Sequence, residues 1–113
     1  LHRVLRKAIN DPVNNSTLVA GTGCVGSSPD MLAYPYGIFV DINFNLYVAD
    51  SGNHRIQLFR YNESNASTIV GAGAPNTISL FSPRGVMVDG DGSVFIADTN
   101  NGRIIRFNAS GIQ

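Results

Sequence analysis

One stretch of this chain is written twice. Residues 34–60, YPYGIFVDINFNLYVADSGNHRIQLFR, lie without a gap over residues 82–108, SPRGVMVDGDGSVFIADTNNGRIIRFN, at a constant offset of 48, and ten of the 27 aligned positions are identical. Ile38/Val86, Phe39/Met87, Leu46/Val94, Tyr47/Phe95 and Val48/Ile96 add like-for-like exchanges. The N-terminus enters the same register from the middle of a unit: His2-Arg3-Val4 answers His54-Arg55-Ile56, and VAGTG at 19–23 answers IVGAG at 69–73. The offset drifts through segments near 10–15 and 24–33, polar or Gly/Ser-rich stretches where insertions are tolerated because no strand pairing depends on them. A period in the forties means repeated supersecondary units that bury their faces against one another. The units divide as residues 1–23, the end of one; 34–73, one complete; and 82–113, most of the next.

Within a unit the punctuation predicts short strands. GIFVD (37–41) is closed by a polar turn and followed by LYVAD (46–50), HRIQLFR (54–60) and STIVG (67–71). In the later unit Asp89-Gly90-Asp91-Gly92 joins the first two strands, a strong hairpin signal. No segment keeps a helical period over ten residues, so the expected class is all-β. Ile38-Phe39-Val40, Leu46-Tyr47-Val48-Ala49 and Val94-Phe95-Ile96-Ala97 are apolar on both faces and need cover above and below. Four-stranded antiparallel sheets stacked face to face around an axis supply that cover, which is the β-propeller. The more polar 67–71 segment is expected to be the outer, wetter strand.

The pattern P-x-G-[IV]-x-V-D, then [LV]-[YF]-[VI]-A-D-[ST]-x-N-x-R-I, present twice in full and once in part, resembles the NHL repeat. That resemblance implies a propeller, commonly of six blades, of which this chain would hold two to two and a half, the remaining blades coming from sequence outside it. In this pattern Gly37, Asp41, Asp50, Asn53, Arg55, Gly85, Asp89, Asp98, Asn101 and Arg103 are read as shaping the blade. An Asp-Ser-Gly-Asn turn lets a carboxylate take backbone N–H groups, and an Arg two residues past the Asn can pair with an acid nearby.

No catalytic, cofactor or metal residue is assigned. Ca²⁺ sites want six or more oxygen donors on one compact loop, and neither DINFN nor DGDGS supplies them. His2 and His54 share one repeat position with Gly102, so each reads as a variable turn residue and not as a general base. Gly21-Thr22-Gly23 and Gly71-Ala72-Gly73 lack the Lys-Ser/Thr and helix of a phosphate loop and read as linkers between units. With 8 Lys+Arg against 8 Asp+Glu and no basic cluster, nucleic acid is disfavoured, and no apolar run is long enough to span a bilayer. Turns such as 42–45, 51–54, 90–93 and 99–102 are the candidates for binding a protein or peptide ligand.

Five Asn-x-Ser/Thr sequons begin at Asn14, Asn15, Asn62, Asn65 and Asn108, all read as lying in the loop after a unit's third strand. Together they point to N-glycosylation in an extracellular or cell-surface protein. The single Cys24 is either a free thiol or paired with a cysteine outside this sequence. The expectation is therefore a non-catalytic interaction platform. The resemblance allows two alternatives: the substrate-recognition or RNA-binding propeller of a cytoplasmic RING-type ubiquitin ligase, and part of an enzyme similar to the peptide-amidating lyase.

Overall fold

The computed structural model describes residues 1–9, 16–76 and 78–108. It is all-β, with three antiparallel sheets. β1 (Arg3–Arg6) pairs with β2 (Thr17–Gly21); β3 (Pro35–Val40), β4 (Leu46–Asp50), β5 (Arg55–Phe59) and β6 (Ser67–Gly71) form a four-stranded meander; β7 (Gly85–Val88), β8 (Ser93–Asp98) and β9 (Arg103–Asn108) form the third sheet. These are propeller blades, one with all four strands among the described residues and two represented in part.

The units repeat in register as well as in sequence. Ile38 opposes Val48 and Val40 opposes Leu46, as Val86 opposes Ile96 and Val88 opposes Val94. A bulge falls between Val4 and Leu5 in β1 and at the matching Ile56/Gln57 step of β5, so the first sheet consists of a unit's third and fourth strands.

Burial follows from stacking. Every residue of β4 and β5 is buried, because these middle strands are covered on both faces. One face, with Tyr47, Ala49, Ile56 and Leu58, packs on Val94 and Ile96 of the third sheet. The other, with Leu46, Val48 and Phe59, meets Ala20 and Leu32. The wet strand is not the one the sequence points to: β6 is buried over its last three residues, whereas β3 alternates, leaving Tyr36, Ile38 and Val40 exposed. Val86 and Val88, the counterparts of Ile38 and Val40, are partly buried against the preceding sheet's first two strands; β1 and β2 offer Ile38 and Val40 no such neighbours.

Glycines mark the closest backbone approaches, one between blades and others within a blade. A Cβ on Gly37 would stand 2.5 Å from the Arg84 carbonyl oxygen, so β3 and β7 approach with no side chain between them. At Gly71 the chain leaves β6 with φ +97°, and a Cβ would meet the His54 carbonyl oxygen. Gly21 repeats this against His2.

Candidate functional site

The Asp, Asn and Arg residues that recur around the turn after a unit's second strand are gathered at one rim. In the four-stranded blade the Asp50 carboxylate ends β4 fully buried. Its Oδ1 accepts the Ala33 N–H at 2.7 Å, and its Oδ2 accepts from Asn53 Nδ2 at 2.9 Å and Arg55 Nε at 2.7 Å. Arg55 then donates to the carbonyls of Ser27 and Met31, and Asn53 to that of Gly26, so one carboxylate ties the turn at Ser51–Asn53 to the linker entering the blade.

The next blade repeats the device. Asp98 accepts from the Phe81 N–H at 2.7 Å, Asn101 Nδ2 at 2.8 Å and Arg103 Nε at 2.9 Å, and Arg103 donates onward to the Ser79 carbonyl. Burial by itself raises the pKa of Asp98, but the Phe81 N–H, Asn101 and Arg103 outweigh it and hold the carboxyl below the usual carboxylate range.

Asp41 and Asp89 do a smaller job at the opposite rim. Asp41 Oδ1 accepts the N–H groups of Asn43 and Asn45, and Asp89 Oδ1 those of Asp91 and Ser93, which closes the turns between first and second strands. Among the described residues, no three His, Cys, Asp or Glu side chains come together as a metal site would require.

The histidines have a role that the sequence reading missed. His54 sits at φ +56° just before β5, and its Nδ1 accepts the N–H of Ser82, the residue before the next blade's Pro83, at 2.9 Å. His2 does the same for Tyr34, before Pro35, at 3.0 Å. Accepting at Nδ1 leaves the ring proton on Nε2. Each ring also stands edge-on to an aromatic of the next linker, His54 against Phe81 and His2 against Tyr34. This repeat position therefore couples adjacent blades where it carries His and leaves the coupling out at Gly102. The signal available in sequence was the pairing of each His with the residue 28 or 32 positions on, which only the fold reveals.

The same rim is rich in exposed aromatic surface. Tyr34 is 64% exposed, Tyr36 61% and Phe81 49%, and the Arg84 guanidinium lies 4.6 Å over the Tyr36 ring. At the other rim Phe44 and Tyr61 stand with ring centroids 5.7 Å apart. Asn62 and Asn65 lie there in the loop after β5, while Asn108 is the last residue of β9, paired with Ser93, and not a loop residue. Asn14 and Asn15 lie outside the described residues. Cys24 is exposed in the linker after β2.

An antiparallel blade with this Asp-Asn-Arg turn, stacked on a second of the same build, defines a propeller-type repeat module. The family model of the NHL repeat matches residues 82–107, which run from just before β7 to the last residue but one of β9, and residues 34–60 repeat that sequence pattern at a gapless offset of 48. Residues 82–107 are thus similar to the NHL repeat, and residues 34–60 share their pattern. No curated protein matches it.

Proposed function

We propose that this chain is a non-catalytic interaction module of a protein that works outside the cell, and that it binds a protein partner through the rim formed by the linkers before β3 and β7 and the turns after β4 and β8. The observation that carries this reading is the row Tyr34, Tyr36, Arg84 and Phe81, exposed on rigid neighbouring elements while the recurring polar side chains are used up in the turns beneath. Tyrosine and arginine are enriched among the residues that supply the energy of protein interfaces, tyrosine through a large ring with few rotatable bonds and arginine through a planar, multiply donating head. The sequons of the opposite rim support the extracellular setting and leave this rim clear. A catalytic reading has no comparable support, since the Asp carboxylates here are saturated with hydrogen bonds.

Photo-crosslinking tests the assignment. A crosslinking amino acid at Tyr36 in the full protein, expressed in the cells that make it, should capture a discrete partner, and the Arg84→Ala substitution should abolish the adduct. The same group at Gly90, on the far rim, should capture none. Equal adducts from both positions, or none from Tyr36, would defeat the proposal.

A further inference from the structure

Of the sequons in the described residues, Asn62-Glu63-Ser64 is the one whose acceptor group is presented. The Glu63 N–H donates to the Arg60 carbonyl at 2.9 Å, which sets Asn62 in a tight turn at φ +62°, exposed to solvent, with neither its amide nor the Ser64 hydroxyl engaged by the described residues. Asn65 is also exposed, but its sequon runs straight into β6: the Ala66 N–H is held by the Pro29 carbonyl and Ser67 accepts from Arg60. Asn108 is within the ladder of β9.

Beside Asn62 lies an exposed aromatic pair. Phe44 is 67% exposed and Tyr61 54%, and both border with Asn62 an apolar groove of about 640 Å³. Phe44 also stands where the following unit has Gly92: both residues are left-handed, φ +65° and +82°. A bulky side chain there bears a steric strain that glycine avoids, so its own turn gives no reason for an aromatic.

We propose that Asn62 is an N-glycosylation site and that Phe44 and Tyr61 form the platform on which the first sugar rests. This rests on the extracellular reading above. Asn62 Nδ2 would bond to C1 of the N-acetylglucosamine ending a lipid-diphosphate-linked oligosaccharide. The C1–O bond to phosphate breaks, the lipid diphosphate leaves with its electron pair, and the amide gives up one proton, with no change of oxidation state. The axial C–H face of the sugar then covers the two rings, removing exposed apolar surface.

The native full chain should be fractionated from its own cells, and each sequon scored by mass spectrometry after enzymatic deglycosylation in ¹⁸O water, which marks every occupied Asn as labelled Asp. Occupancy at Asn62 should exceed that at Asn108 several-fold and vanish in Ser64→Ala. Recovery from the cytosol would overturn the extracellular reading and the glycan with it; recovery from the secretory or extracellular fraction with Asn62 bare would overturn the glycan alone. Removing the sugar should lower the melting temperature of the native protein and leave that of Phe44→Ala nearly unchanged. An equal drop in both would overturn the platform.

Discussion

Arg55 and Arg103 hold the same repeat position and pair with the same kind of aspartate, yet 9% of the Arg55 side chain is exposed against 50% for Arg103. The difference lies in what covers them: the linker before β3 wraps Arg55 with the carbonyls of Ser27, Ser28 and Met31, while among the described residues Arg103 reaches one, that of Ser79. Removing one partner of a buried pair leaves the other charge unpaired, so Arg55→Ala should cost about 3–5 kcal/mol. The Arg103 side chain is half exposed, and its loss leaves Asp98 still held by the Phe81 N–H and Asn101, so Arg103→Ala should cost less, about 1 kcal/mol. Urea denaturation of both variants checks the ranking. Asp98 makes a second prediction. Its pKa is lower folded than unfolded, so its contribution is fully present above the unfolded value and is lost as pH falls through the folded one. Melting temperature should therefore fall on acidification below the range of ordinary carboxylates, and Asp98→Asn, less stable at neutral pH, should show a shallower fall. The Asp and Arg of each turn were legible in the sequence because they recur; the different weight of the two copies was not, since it depends on linkers that do not repeat.

At the scale of elements, blade spacing is set by backbone contact between β3 and β7. Gly37→Ala pushes a methyl group to 2.5 Å from a carbonyl oxygen that cannot yield without parting the strands. Overpacking of this kind costs typically 1–3 kcal/mol. Gly90→Ala, in a turn where a Cβ meets nothing within 4 Å, should be nearly silent. Thermal melts of the two variants, side by side, test whether the glycine matters through contact or merely through flexibility. The strands themselves were readable from apolar runs and turn residues, and β4, β5 and β8 lie where those runs fall. The order of burial was not, because composition made 67–71 look wettest, while actual exposure depends on which neighbouring strands lie above each face. Likewise, nothing in the local pattern marks His2 and His54 as acceptors from the next blade; their partners are brought to them by the stacking.

Across the whole molecule, the face of β3 that carries Ile38 and Val40, each about half exposed, adjoins β1 along an apolar groove, and one edge of β1 pairs with no strand among the described residues. Exposed apolar surface beside an unpaired strand edge favours strand addition and self-association. The 113-residue chain by itself should sediment as larger species as its concentration rises, and Ile38→Lys with Val40→Lys should shift it toward monomer. A wild-type chain that stays monomeric throughout would show that the groove closes on itself. The repeat, the strand class and the Asp-Asn-Arg turns were determined by the sequence alone, because each is local and is written more than once. Tertiary structure decided which copy of a repeated residue is buried, which sequon stands at a free turn, and which histidine nitrogen joins two blades, because those properties belong to neighbours far apart in the chain and brought together only by packing.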